Sequence, residues 1–350
     1  MDHAVLRQAL DTIAARMMTV EGTMQEDCPI GIIDMKNWEW PQGVGLYGLY
    51  RLWKQTGKQD YLAFLMDWYN SRIREGLPSK NVNTMAPMLA LSYLCEETGN
   101  ALYRALCMEW AQYAMDGLPR TPDGGIQHVV SGVENRGQLW DDTLYMTVLF
   151  LARMGVMCGN QAYIDESVKQ FLVHIKYLAD KRTGLWYHGW TFEGRHNFAN
   201  AFWGRGNCWI TAGMMDYLEM APVGGGTRQF LLDTVRAQIE ALERLQRPDG
   251  MWGTLLDDPG SYAEASATAG FGYGILKGVR LGYVPRKFLP CGIRALEAVM
   301  RCVEKDGTVG QVSYGTPVGE TLDDYRRIPL CTMTYGQALA MLVLSEGLYL

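Results

Sequence analysis

Basic charge, histidine, paired cysteines and uninterrupted apolar runs are all scarce in this chain of 350 residues, and each scarcity removes a class of function. Lys and Arg number 32 against 38 Asp and Glu, a net charge of −6, so no general polyanion-binding face is expected and nucleic acid is excluded as a partner. The eight cysteines, Cys28, Cys95, Cys107, Cys158, Cys208, Cys291, Cys302 and Cys331, show no C-x-x-C spacing. With only five histidines and no Cys/His cluster, a zinc site is not expected, and thiols on apolar helical faces read as reduced groups in a cytosol. The longest apolar stretch, 144–158, is interrupted by Arg153, and Met1-Asp2-His3-Ala4 lacks the basic and apolar regions of a signal peptide. The expectation is a cytoplasmic protein with no membrane partner. No Pro/Ser-rich linker divides the chain, so it reads as a single domain over 1–350.

What is present is repetition. Six segments carry small and apolar residues on nearly every face and run from a Gly, Asn, Asp or Thr toward a late Gly or Met: 43–57, 84–99, 142–155, 207–220, 268–282 and 334–347. Such segments imply helices buried all round. Between them lie six amphipathic, more charged segments, near 3–19, 59–75, 100–116, 161–180, 227–246 and 286–304. Strict alternation of six inner and six outer helices predicts an all-α (α/α)6 barrel. The extra length falls between outer and inner helices, where Pro122-Asp123-Gly124-Gly125, Thr183-Gly184, Pro248-Asp249-Gly250 and Asp306-Gly307 open turns that continue as short strand-like runs. One rim therefore carries long loops with short β-strands, and that rim is the expected site.

The most informative run is Phe202-Trp203-Gly204-Arg205-Gly206-Asn207-Cys208-Trp209. Arg205 offers a planar fork of donors matched to a carboxylate, Trp203 and Trp209 offer flat apolar platforms, and the glycines admit close backbone approach. A planar anionic ligand such as a uronic acid suits this combination; a structural arginine stacked in a glycine turn is the alternative. The strongest catalytic candidate is the pair Asp141-Asp142 at the start of the third inner helix. One of them is expected to cap that helix. The other feels the helix dipole, which lowers its pKa, so it serves as a general acid near neutrality only if burial against Trp140 raises the pKa again.

Trp40-Pro41-Gln42-Gly43, Trp140-Asp141-Asp142-Thr143-Leu144-Tyr145-Met146, His188-Gly189-Trp190 and Phe202-Trp203-Gly204-Arg205-Gly206-Asn207 resemble, in order and spacing, the motif series of glycoside hydrolase family 105. That family comprises unsaturated rhamnogalacturonyl hydrolases related to the unsaturated glucuronyl hydrolases of family 88. The resemblance implies the six-hairpin fold and a reaction without cofactor or metal. One acid protonates C4 of a 4,5-unsaturated uronic acid, water adds at C5, and the hemiketal opens to release the rest of a small oligosaccharide. It further implies Asp142 as the acid/base, Asp141 as cap or helper, Trp203 and Arg205 at the sugar and its carboxylate, His128 and His188 beside the ring, and Trp40, Trp140 and Trp209 along an aromatic wall. Asn83 stands where the family pattern carries a second aspartate, so it can hydrogen-bond a sugar hydroxyl but share no charge with Asp142.

The other polar residues read more simply. His3 and His174 are surface or packing residues, His196 with Arg195 is a loop pair able to steer an anion, Asp257 and Asp258 serve a turn, and Glu264 is a weaker carboxylate candidate. Two alternatives stay open. One is another sugar enzyme on the same barrel, an inverting glycosidase using Asp258 or Glu264 or an epimerase; the other is a non-catalytic sugar-binding protein. The identity of the uronic acid and the oligomeric state, a homodimer included, are left open as well.

Overall fold

The computed structural model describes residues 2–22 and 33–350; Cys28 lies outside them. Outer and inner helices alternate along the chain as α1 (His3–Met18), α2 (Trp40–Thr56), α3 (Gln59–Glu75), α4 (Ala86–Thr98), α5 (Ala101–Asp116) and α6 (Leu149–Cys158). They continue as α7 (Gln161–Leu178), α8 (Gly204–Met220), α9 (Gly225–Leu245), α10 (Ala265–Arg280) and α11 (Leu289–Arg301), then a five-residue helix α12 (Leu322–Arg326), and α13 (Thr334–Gly347). The six all-apolar segments become α2, α4, α6, α8, α10 and α13, which pack in that order and close on themselves where α13 meets α2. Each is backed by an outer helix: α1 on α13, α3 on α2, α5 on α4, α7 on α6, α9 on α8 and α11 on α10. This is the (α/α)6 barrel that the alternation predicts.

Small residues make so tight a ring feasible. A Cβ on Gly43 of α2 would lie 2.5 Å from the backbone of Ala86 and Pro87 on α4, and one on Gly274 of α10 would lie 2.7 Å from the Thr211 carbonyl on α8. α2 and α4 end on left-handed glycines, Gly57 and Gly99, as the sequence suggests, whereas α6 runs past the expected Gly155 to a left-handed Gly159. Three inner helices begin about a turn earlier than expected, at Trp40, Gly204 and Ala265, so the Trp40-Pro41 and Gly204-Arg205-Gly206 motifs lie inside first turns. The third begins with a π-helical turn, Leu144–Val148, directly after the two aspartates. Arg153 sits buried on α6 over the Tyr93 ring, 4.3 Å from its centroid, and pairs with Glu96. No described helix is long and apolar enough to cross a membrane.

The two ends of the ring differ. At the C-terminal ends of α8 and α10, Lys277, fully buried, binds Asp216 and lies 2.6 Å from Glu219, which closes the ring with paired charges. At the other end the rim loops form two short antiparallel ladders. β1 (Gln138–Trp140) pairs with β2 (Gly189–Thr191), and β3 (Trp252–Gly253) pairs with β4 (Ala263–Glu264). Between α11 and α13 the chain makes a strap across this rim, its two legs joined where Ser313 bridges Leu330.

Candidate active site

The β1–β2 ladder builds the chemical side of the site. It places Trp140 opposite Gly189, and the next N–H, that of Asp141, donates to the His188 carbonyl at 2.9 Å. Asp141, Asp142 and His188, from two rim loops, thereby bring carboxylate oxygens and an imidazole nitrogen within 4.8 Å of one another, the one such group among the described residues. Sequence spacing gave no hint of this donor set, because the ladder, not the chain order, creates it.

Neither aspartate caps the helix as expected. The helix start has no side-chain cap, and both oxygens of Asp141 and Oδ1 of Asp142 are buried without a protein hydrogen-bond partner. The cause is the tight packing of α8 on this spot: a Cβ on Gly206 would drive into the Asp141 carboxylate. Burial pushes the Asp141 pKa well above the ordinary carboxylate range, and the neighbouring Asp142 charge pushes it further. Burial also raises Asp142 from 3.8 to about 7, against the opposing pull of the Arg205 charge and of nearby backbone N–H groups. Desolvation outweighs the helix terminus, so Asp142 is a carboxyl able to hold its proton at neutral pH.

His128 and His188 flank the pair. The His128 ring stacks on Trp140, with centroids 4.1 Å apart, and its Nδ1 lies 2.8 Å from Thr143 Oγ1 and 3.4 Å from Asp142 Oδ1. His188 packs on Trp203 at 4.2 Å, its Nδ1 lies 2.9 Å from Tyr325 Oη, and its Nε2 has no protein partner. Burial lowers both imidazole pKa values, His128 to about 3, so both rings are neutral at ordinary pH.

The F-W-G-R-G-N run resolves residue by residue. Phe202 stacks on Tyr187 at 4.7 Å; Gly204 fits against the Gly253 carbonyl, which a Cβ would meet at 2.7 Å; and Gly206 makes room for Asp141. Asn207 is fully buried, accepts the Trp186 N–H at 2.8 Å and donates to the Trp186 and Trp203 carbonyls, fixing the loop that carries His188. Arg205 lines the cavity and is held from several sides. Its guanidinium lies between the Trp203 and Tyr335 rings, 4.5 and 4.9 Å from their centroids. Nη1 donates to the Ser313 carbonyl at 2.8 Å and to the Ser313 hydroxyl, while Nη2 donates to the Tyr314 carbonyl at 2.9 Å. Nη1 and Nη2 thus hold the strap, while Nε has no protein partner.

These residues surround one narrow cavity of about 30 Å3, lined by Trp40, Asn83, His128, Val130, Trp140, Asp142, Trp203, Arg205, Trp209 and Thr316. Of the ten residues assigned to the site from sequence, eight line it, while Asp141 and His188 stand directly behind. Trp40 meets Trp209 edge to face at 6.2 Å and stacks on Tyr335 at 4.7 Å, and Trp209 packs on Tyr145 at 4.8 Å, so the aromatic wall is rigid. Asn83 follows an Asx turn in which Asn81 Oδ1 accepts the N–H groups of Asn83 and Thr84. Larger hollows exist, but they are grooves between outer elements with no convergence of buried titratable groups.

The other candidates lie elsewhere. His196 and Arg195 are on an exposed turn, and His174 is buried on α7 with Nδ1 2.8 Å from the Gln170 carbonyl. Asp258 Oδ2 accepts from Arg326 at 2.8 Å. Glu264 caps α10 by accepting from Ser266 and Ala267, and it also accepts the Ser313 N–H at 2.8 Å. Sequence reasoning missed Tyr325, Thr143, Val130 and Thr316. Thr143, beside the aspartates, carried a positional signal, whereas Tyr325 is 137 residues from His188 along the chain and carried none.

An (α/α)6 barrel whose loop-bearing rim holds a tryptophan-walled cavity and a proton-bearing carboxyl defines a carbohydrate-active enzyme, a glycoside hydrolase. The chain belongs to Glycosyl Hydrolase Family 88, whose model matches residues 11–350. It is 32% identical over 314 residues, 89% of this chain and 90% of the relative, to the unsaturated rhamnogalacturonyl hydrolase YesR of Bacillus subtilis. A crystal structure from Salmonella enterica, described as a possible member of glycoside hydrolase family 105, superposes with a TM-score of 0.96 at 44% identity, covering 100% of this chain and 95% of that one. The unsaturated glucuronyl hydrolase of Bacillus sp. GL1 shares the fold, with a TM-score of 0.75 at 17% identity over 98% of this chain and 96% of the other.

Proposed function

We propose that the protein, acting as one hydrolase domain, removes a 4,5-unsaturated uronic acid from the non-reducing end of lyase-generated oligosaccharides, as an unsaturated rhamnogalacturonyl hydrolase with Asp142 as its acid. The observation that carries the reading is a single carboxyl at the cavity, held near pKa 7 by burial, with no second carboxylate among the described residues that line it. Ordinary inverting hydrolysis requires a base carboxylate about 6.5–9.5 Å from the acid to activate water. The two rim carboxylates suggested for that role, Asp258 and Glu264, are tied up as a salt bridge and a helix cap. A 4,5-unsaturated ring does not need that base, because its vinyl ether is electron-rich and the step that requires help is protonation of C4.

In the mechanism, Asp142 gives its proton to C4, the electron pair of the double bond forming the new C–H bond and leaving an oxocarbenium centre at C5. Water adds at C5 and returns a proton to the Asp142 carboxylate. The C5 hemiketal then opens to a C5 ketone and a C1 hemiacetal, whose collapse to a C1 aldehyde breaks the glycosidic bond and releases the aglycone as its alcohol, the hemiacetal proton ending on the departing oxygen. Trp40, Trp140, Trp203 and Trp209 pack the ring faces, Asn83 and His128 offer hydrogen bonds to hydroxyls, and Arg205 supplies positive potential for the sugar carboxylate. No step calls for a metal or organic cofactor. Cys95, Cys107, Cys158, Cys208, Cys291 and Cys302 are free thiols, which supports a cytoplasmic setting.

The test is to incubate the enzyme with an unsaturated rhamnogalacturonan disaccharide and follow ultraviolet absorbance of the vinyl ether. Loss of that absorbance with wild type and its persistence with Asp142→Asn is the expected result. Absorbance unchanged by wild type across a panel of unsaturated uronides would overturn the reading.

A further inference from the structure

The strap between α11 and α13 plays no part in the chemistry above, yet Tyr325 on its helix α12 is 1% exposed and its ring lies 5.7 Å from that of His188 and 6.0 Å from that of Trp203. Tyr325 Oη accepts the Gly319 N–H at 3.0 Å and lies 2.9 Å from His188 Nδ1. The hydroxyl has one proton to give, and His188 Nδ1 is placed to take it. A neutral imidazole that accepts at Nδ1 carries its proton at Nε2. That nitrogen is buried, has no protein partner, and belongs to the same compact group as the Asp141 and Asp142 oxygens.

We propose that Tyr325 is a positioning residue for the hydrolase: by donating to His188 Nδ1 it fixes the Nε2–H tautomer and so presents a hydrogen-bond donor to the Asp141–Asp142 pair. Such a donor biases which carboxyl of the pair keeps a proton when only one is bound. The other tautomer would put a lone pair toward the carboxyls, where it competes for the same proton. The strap is anchored independently, by Arg205 on the Ser313 and Tyr314 carbonyls and by Arg326 on Asp258, so its seating and the proton's location are linked. The proposal rests on the assignment of Asp142 as the acid.

The test is nitrogen NMR of the full-length enzyme labelled with 15N-histidine at neutral pH, with the His188 signals assigned by their loss in His188→Gln. Wild type is expected to show His188 protonated at Nε2, and Tyr325→Phe to populate both tautomers. The buried His174 provides an internal signal that the variant is folded. Turnover of Tyr325→Phe should fall by about ten- to a hundred-fold, as for residues that orient a functional histidine, with KM changed little and the pH profile altered. Protonation of His188 at Nδ1 in wild type overturns the proposal, as does a folded Tyr325→Phe with the wild-type tautomer, or one with an altered tautomer and undiminished kcat. The tautomer measurement stands whether or not Asp142→Asn abolishes turnover, so failure of the acid assignment is seen separately.

Discussion

Replacing Asp142 by Asn should make the protein more stable while removing its activity, and the size of the gain follows from the site. The carboxyl titrates at about 7 in the folded chain because it is buried, against 3.8 for a free aspartate. A group whose folded pKa is raised binds more protons folded than unfolded, so the native state is favoured at low pH and loses stability as pH climbs from 3.8 through 7. At about 1.4 kcal/mol for each factor of ten, the loss totals roughly 4 kcal/mol once the carboxyl is ionised. Asparagine keeps the shape and has no charge to desolvate, so the variant escapes that loss. With an unfolding entropy of about 2 cal/mol/K per residue over 350 residues, the melting temperature should rise by roughly 5 °C above neutrality. The rise should shrink to nothing near pH 4. Calorimetric or fluorescence melting curves of both proteins across that range provide the measurement. A difference independent of pH, or a variant less stable than wild type at alkaline pH, would refute the claim that burial sets the Asp142 pKa.

Three further outcomes are expected. Gly206→Ala should lower stability by about 1–3 kcal/mol through overpacking and reduce kcat, since its Cβ would displace Asp141; wild-type kinetics and an unshifted melting curve would contradict that contact. Arg205→Lys keeps the charge but cannot bond both strap carbonyls, so protease cleavage within 315–328 should accelerate and stability fall by about 1–3 kcal/mol. If cleavage is unchanged, the strap is held by other bonds. Extended treatment with EDTA should leave kcat unaltered, because burial favours the neutral, non-ligating form of both aspartates; activity lost to EDTA and regained with a divalent cation would show that the Asp141, Asp142 and His188 group binds a metal.

The barrel was legible because its signals are local and repeated. Apolar residues on all faces of 43–57 or 334–347 have no stable place except inside a ring, and the amphipathic partners between them supply the cover. Helix starts were less legible, since Trp40-Pro41-Gln42 and Gly204-Arg205-Gly206 look like entry loops until the close packing at Gly43 and Gly206 explains why glycine is tolerated in a first turn. Of the cavity wall, Trp203, Arg205 and Trp209 were readable from motif chemistry, whereas Trp40, Asn83 and His128 came through the family resemblance. The use of Arg205 was not readable, because the carbonyls it binds lie 108 and 109 residues away and belong to a segment without periodicity. For the same reason the Tyr325 contact left no trace in the sequence. Local physics reveals which groups a site contains, and long-range contacts decide which of their bonds are already taken.

Asn83 allows that distinction to be tested. It lines the same cavity as Asp142, and an amide there contributes no charge. Burial alone then has to raise the Asp142 pKa, which matches the order of causes at that carboxyl. Asn83→Asp adds a like charge to a low-dielectric cavity, and like charges disfavour each other's ionisation. The alkaline limb of kcat/KM, which in wild type should fall through about pH 7 as Asp142 loses its proton, should move upward in this variant. Salt should reduce the displacement only slightly, because a buried pair is poorly screened. If the limb stays in place while KM alone changes, Asn83 acts on the sugar and not on the acid. A limb displaced downward would mean that residue 83 donates a hydrogen bond favouring the Asp142 carboxylate, and burial would no longer account for the acid by itself.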